Sequence, residues 1–479
     1  MRHGRLASAL AFLTITGLAA AQSPTSDFAV EREPETTVVA PVVKPGPIAA
    51  AVLALPMTAD DPKTAPPATL PKTATQMPAG KDVPTVPAPG GATPLAPGIA
   101  ALPPGGVVLT PNETVVIGNG VAVDPSCYWV SAEYMALRFK KDTVPPLVTT
   151  GPASFPVGFL GNPGTRVLFA GELDQNTLSG VLLRGGMWMD ACHTWGLEVS
   201  GFCIPEQNNS RGFNSNQFPV LARPFRDVNP GGPNSEFLAF PGLSTGAITI
   251  ENKTELCGAT IAARCPFWSG CCWRVDGVAG LGCLDLKEEV TIVETPRGTP
   301  NNPFVGGANT QFIATDAFKT QNKFCGAFAG LEASYNYGCW TIGALANVGI
   351  GCNHQSIDIN GNQIAIPATG RPSTTAGGLL AVPGRNIGRF TKNECSVVSQ
   401  VGLNLGYQCT EHIQIFGGYT CLYWTNVIRP GEQIDPVLDI NRIPNFSRGV
   451  AATSNRPVAP FNQQNFWAQG VSLGVRFSW

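Results

Sequence analysis

Apolar residues alternate with small or polar ones at period two through most of the second half of this chain. The closing stretch, Phe466–Trp479, shows the pattern most fully. Trp467, Gln469, Val471, Leu473, Val475, Phe477 and Trp479 make one face; Ala468, Gly470, Ser472, Gly474, Arg476 and Ser478 make the other. Period two is the signature of a strand with two unlike environments. An aromatic-ended apolar face opposite a small, polar one suits lipid outside and a wet or crowded interior inside. A half-buried strand of a soluble sandwich alternates in the same way, so the decision rests on whether the face recurs.

It does. Val181–Asp190 and Thr194–Cys203 read as a hairpin, and so do Thr254–Cys265 and Cys272–Leu286. In Phe324–Tyr337 and Cys339–Cys352 the alternation is continuous and the turn is almost absent. Ser396–Cys409 and Glu411–Trp424 repeat the arrangement, and Cys127–Phe139 opens the series. Long loops separate the hairpins. Short turns on one side and long loops on the other are the asymmetry of a bacterial barrel, and an even strand count brings the two ends together. The expected fold is an all-β, closed antiparallel transmembrane β-barrel of about ten strands, or twelve if segments near Val290 and Phe312 are counted separately. The closing strand should pair with the first, near Tyr128–Phe139.

Composition agrees. Only 13% of the residues are charged, against 54 Gly, 24 Phe and 9 Trp, whereas a water-facing surface carries about 25–35% charged residues. A net charge of -2 gives no reason to expect a nucleic-acid partner. No stretch after the N-terminus is long and apolar enough for a spanning helix, and a chain without one crosses a bilayer only as a closed barrel, because sheet edges cannot be left in hydrocarbon. The implied partner is outer-membrane lipid, with a cell-envelope protein or a second copy as further candidates.

The N-terminus reads as a signal peptide over residues 1–21: Arg2 and Arg5, an apolar core Leu6–Leu18, and a small-residue cleavage site Ala19–Ala21. Residues 22–125 are rich in Pro, Ala and Thr and read as an extended, disordered tether, within which Leu102–Val123 has the apolar runs for a short strand or plug. The barrel domain is assigned to residues 126–479. Fourteen cysteines, none before Cys127, fit an oxidising compartment, with no connectivity readable from spacing. They contain no CxxC, and His3, His193, His354 and His412 are scattered, so neither a metal nor a cofactor is expected.

Candidate interior residues are the charges that alternate with the apolar face: Glu133, Arg184, Glu198, Arg274, Asp276, Glu332 and Arg476. They would either form a charged constriction for ions or small solutes or pair with one another and fill a plugged, structural barrel. Arg429, Glu432 and Asp435 fit a turn or loop better than chemistry. No His-centred nucleophile arrangement is present, so no enzymatic role is expected. The competing class is a secreted, disulfide-linked surface or adhesion protein acting through its long loops.

"NKFCGAFAG" (Asn322–Gly330), "GLLAVPGRNIGRF" (Gly378–Phe390), "GLGCLDLKEEVTI" (Gly280–Ile292) and, most specifically, "GYTCLYWTNVIRPGEQID" (Gly418–Asp435) resemble the planctomycete beta-barrel porin family seven. The resemblance spans roughly Tyr128 to Trp479 and leaves the tether outside. It implies an exported barrel of the cell outer membrane, and it brings no reaction or transported solute. The match extends over Leu403–Asp435, and Cys325, Cys409 and Cys421, inside the matching segments, depart from the family pattern and offer staples between neighbouring strands.

Overall fold

A computed structural model describes residues 116–117, 121–122 and 127–479, apart from 174–175, 191–192, 230, 301–308, 444–445 and 447–450. The expected leader and nearly all of the tether lie outside the described residues. Within Leu102–Val123, the two-residue strands Val116–Ile117 and Val121–Ala122 pair with each other.

Ten strands form the wall among the described residues: β1 Tyr128–Phe139, β2 Leu178–Trp188, β3 Gly196–Asn214, β4 Ala247–Ser269, β5 Trp273–Glu294, β6 Gln311–Tyr337, β7 Trp340–Ile366, β8 Gly388–Gln408, β9 Ile413–Ile428 and β10 Gln463–Ser478. Each pairs antiparallel with its sequence neighbours. β10 then returns to β1, in register from Ala468 opposite Phe139 to Ser478 opposite Trp129. The sheet closes, and the seam is the expected one. Closure removes the unpaired edges that hydrocarbon would not tolerate. No described helix is long and apolar enough to cross a membrane.

At one rim the turns are minimal. Tyr337 lies opposite Trp340, and the link between them places Gly338 at φ 57, a backbone region where a side chain would be strained. Aromatic rings crowd this rim on the outside: Tyr128 stacks on Trp479 at 5.9 Å and Trp340 meets Tyr407 at 5.0 Å. Above them the outer face is apolar, with Leu403 and Leu473 each 63% exposed. Along β6 this face runs from Tyr335 through Leu331 to Cys325. Ten residues at about 3.3 Å each, tilted by about 40°, span roughly 25 Å, the height of a barrel's lipid-facing band.

Six strands, β3 to β8, continue beyond that band. β6 and β7 are 27 residues each, against the 9–11 or so that a tilted strand needs to cross. In these extensions the faces exchange character. On β5, Val275, Ala279 and Leu281 point out while Arg274 and Asp276 point in; beyond Cys283, Lys287 and Glu289 point out while Leu286, Val290 and Ile292 are buried inside. A collar of ion pairs circles the outside here, including Lys253–Glu206 at 3.4 Å, Lys287–Glu255 at 3.2 Å and Lys319–Glu289 at 3.2 Å. The segments near Val290 and Phe312 belong to these extensions of β5 and β6, so the count is ten and not twelve.

The long loops are not structureless. The strands Thr143–Thr150, Arg166–Glu172, Leu221–Asp227, Gly232–Ala239 and Val437–Leu438 form a second, five-stranded sheet. Its Val148, Leu221, Phe225 and Leu238 share one core with Ile248, Ile292, Phe318 and Ile357 on the inner faces of the extended hairpins. We call this sheet the cap. The apolar inner face of the extensions exists because the cap covers it.

Candidate functional site

The interior of the barrel is the candidate site, and it is built in levels. Nearest the short turns lies a charge cluster. The Arg264 guanidinium, 10% exposed, faces Glu198 at 3.3 Å and Asp276 at 3.6 Å, and it pairs with Glu332. Arg184 reaches Glu198 and Glu332, both at 3.6 Å, and Arg274 holds Asp276 at 2.6 Å. The cations also lie over rings: Arg274 is 4.3 Å from the Trp188 centroid and Arg264 is 5.5 Å from that of Trp129. These side chains meet because alternation points every second residue inward and the registers bring their strands level; Asp276, for example, lies directly opposite Glu332.

Of the residues singled out by sequence, Arg184, Glu198, Arg274, Asp276 and Glu332 are joined in this one network. Glu133 lies on the inner face of β1 within electrostatic reach of Arg184. Arg476 stands over the Phe416 ring at 5.8 Å, and its charge is felt by Glu332. With Arg264 the cluster holds four guanidiniums and four carboxylates, a neutral set. Trp129 closes its edge by lying across Gly186, its partner on β2, where a side chain would collide with the indole.

Above the charges an apolar layer crosses the lumen. Leu137, Leu178, Ile204, Leu256, Leu286, Phe324, Trp424 and Phe466 come from eight different strands and belong to one buried cluster. Phe324 and Trp424 meet at 6.1 Å. Amides line the next level: Asn322 donates to the Ile428 carbonyl at 2.8 Å, and Asn353 and Gln355 donate to the Asn426 carbonyl at 2.9 and 2.7 Å.

Two buried ion clusters then tie the loop side down. Arg429 donates Nε to Glu288 at 2.7 Å and Nη2 to the same carboxylate at 2.5 Å, and gives Nη1 to the Lys140 carbonyl. Burial works against its charge, but Glu288 and Asp142 outweigh it and hold the guanidinium's pKa above its ordinary value. Beside it, burial pushes the Asp142 carboxyl up to about 6 against the pull of Arg429, while Gly431 and Thr143 donate their N–H groups to it at 2.7 and 2.9 Å. In the cap, Arg223 is 1% exposed and bridges Glu294 at 3.0 Å and Asp316 at 2.8 Å. Asp316 also accepts from the N–H groups of Leu380 and Ala381.

The family comparison can now be set beside this geometry. Residues 129–479 match the profile of the family described as "Putative beta barrel porin-7 (BBP7)". The chain belongs to this family. It is therefore an outer-membrane-type β-barrel with a porin-like fold. No curated protein matches. Among solved structures, the outer membrane protease OmpT from Escherichia coli is 11% identical with a TM-score of 0.36, covering 75% of this chain and 99% of that one. A FadL homologue from Pseudomonas aeruginosa is 7% identical with a TM-score of 0.19, covering 75% and 91%. An anion-selective porin from Comamonas acidovorans is 8% identical with a TM-score of 0.15, covering 74% and 98%. Likenesses this remote carry nothing about activity.

Sequence reasoning missed the residue at the centre of the charge cluster. Arg264 follows Ala262 on the inner face of β4, opposite the outward Ile261 and Ala263, so period two alone marks it. Arg223, Glu288, Glu294 and Asp316 were also missed, and no local pattern identifies them. Arg429 and Asp435 do hold loops, Asp435 through Arg456 at 2.8 Å, and Glu432 accepts from the Thr143 hydroxyl. The stretch Gly242–Gly246 reads G-x-S-x-G, a pattern that can mark a nucleophile. Here Ser244 is buried in a two-residue strand beside Gly298 and not at a strand-to-helix turn.

Proposed function

We propose that this protein is a structural component of the cell outer membrane: a barrel held in lipid by its outer face and closed to free diffusion by its own interior. The single observation that carries this reading is the apolar layer, in which Trp424 of β9 packs on Phe324 of β6 across the lumen. A conducting pore needs a continuous wet path, and an apolar layer bordered by amides that donate to backbone carbonyls and by ion-paired side chains offers none. The charge cluster favours structure over selectivity for the same reason: Arg184, Arg264 and Arg274 are spent on Glu198, Asp276 and Glu332.

Planar-bilayer recording of the purified full-length protein tests the proposal. The expected result is heat-modifiable, detergent-extracted barrel with no stepwise conductance. Regular conductance steps from the wild-type protein would overturn it in favour of a narrow passive pore, and solubility without detergent would overturn the membrane placement.

A further inference from the structure

Six outward-facing cysteines lie along adjoining strands at the level where the outer face turns from apolar to charged: Cys203 on β3, Cys257 on β4, Cys283 on β5, Cys325 on β6, Cys352 on β7 and Cys395 on β8. Two disulfides join them in part, Cys203–Cys257 and Cys283–Cys325, with Cα separations of 4.1 and 4.2 Å. Cys352 lies directly opposite Cys395 in the β7–β8 ladder, and both are exposed free thiols.

The ladder sets the last two in the same geometry as the linked pairs. In an antiparallel sheet, directly opposed residues alternate between a hydrogen-bonded pair, with Cα atoms about 5.5 Å apart, and a non-hydrogen-bonded pair at about 4.5 Å. Cys283 and Cys325 have the narrow spacing, so Cys325 turns its own N–H and C=O the other way, towards Cys352. Gly326 and Gly351, the next pair along, agree: a Cβ on Gly326 would stand 2.7 Å from the Gly351 Cα, the close approach of a non-hydrogen-bonded pair. Cys352 thus spends its backbone groups on β6. Its pair with Cys395 is then non-hydrogen-bonded, the same ladder position and narrow spacing that the two existing disulfides occupy.

The loops give the same answer independently. β3–β4 and β5–β6, the two disulfide-linked pairs, are each connected by a long loop, whereas the unlinked β4–β5 and β6–β7 are joined by tight turns. β7–β8 is the remaining long-loop pair in this run of strands. A covalent link does most where the chain between its ends is long.

We propose that Cys352 and Cys395 form a third cross-strand disulfide in the mature protein, so that every long-loop hairpin from β3 to β8 is stapled at the outer boundary of the apolar band. Its oxidant is the disulfide of an envelope dithiol oxidase. One cysteine thiolate attacks that disulfide to give a mixed disulfide and releases one of the oxidase thiols; the second cysteine then displaces the other. The two cysteines lose two electrons and two protons, and the oxidase disulfide gains them. The proposal needs an oxidising compartment but not a closed lumen, so its failure leaves the lumen reading standing.

The test is alkylation of the purified full-length protein with N-ethylmaleimide under denaturing, non-reducing conditions. Digestion with trypsin, a Glu-specific protease and chymotrypsin follows, then mass spectrometry; Glu332 separates Cys325 from Cys352, and Tyr407 separates Cys395 from Cys409. A Cys352–Cys395 linked peptide is expected, together with one newly labelled thiol, Cys395, in C352A. Alkylation of both cysteines in the unreduced wild type, or a Cys325–Cys352 link, overturns the proposal.

Discussion

Phe324 and Trp424 pack edge to face at 6.1 Å although β7 and β8 separate their strands in the wall. The contact therefore runs across the lumen and not along it. Trimming either ring leaves a cavity in the apolar layer, and a buried aromatic replaced by alanine costs about 3–5 kcal/mol. F324A and W424A are each expected to lower the midpoint of heat-modifiable gel mobility. The double variant should lose less than the sum, because the two residues share one contact. In bilayers W424A should admit small ions more readily than the wild type.

Arg264 holds three carboxylates at the short-turn end. Removing one partner of a buried ion cluster costs about 3–5 kcal/mol, since the remaining charges stay desolvated and unpaired. R264M should therefore unfold at a markedly lower temperature in detergent. R264M/E332Q, which removes one of the stranded acids, should recover part of the loss, and an unchanged midpoint in R264M would count against a buried network.

The Asp142 carboxyl, with a folded pKa of about 6 against an ordinary 3.8, makes the loop contact pH-dependent. Below about pH 4 it is protonated whether folded or not. Between about 4 and 6 the folded state keeps a proton that the unfolded chain has lost, so stability falls as pH rises across that window. Above it the penalty is complete. The protection factor of the Gly431 amide, whose N–H Asp142 accepts at 2.7 Å, should be higher at pH 5 than at pH 7.5 once intrinsic base-catalysed exchange is divided out. D142N should flatten that dependence.

Leu403 sits in the middle of the outer apolar band and Lys323 just above it. A lysine at a barrel's lipid midplane costs about 2–4 kcal/mol, falling to about 0–1 near the interface. L403K should fold poorly into lipid vesicles, while K323L should be close to wild type in the same assay. Equal effects would misplace the membrane.

The cap depends on Arg223 being neutralised by Glu294 and Asp316. R223M leaves both acids buried. Limited proteolysis should then cut in the cap strands well before the wall, where the wild type resists at both places.

Much of the wall was readable in sequence because lipid imposes a simple rule: period two, apolar outwards, tight turns at one rim. That rule gives the hairpins, the closing seam from Trp467 to Trp479, and the inward direction of Glu133, Arg184 and Arg476. It fails beyond Cys283 and Cys325, where Leu286 and Phe318 point inward and Lys287 and Lys319 point out. The period is unchanged, but the environments have traded sides, because water replaces lipid outside and the cap replaces the charged barrel interior inside. Only the tertiary structure decided where that exchange falls, that loop strands supply the cap, and that Arg223, Glu288 and Trp424 find partners far away in the chain. Those contacts depend on which inner faces closure brings together, and alternation along one strand carries no record of its neighbours across the barrel.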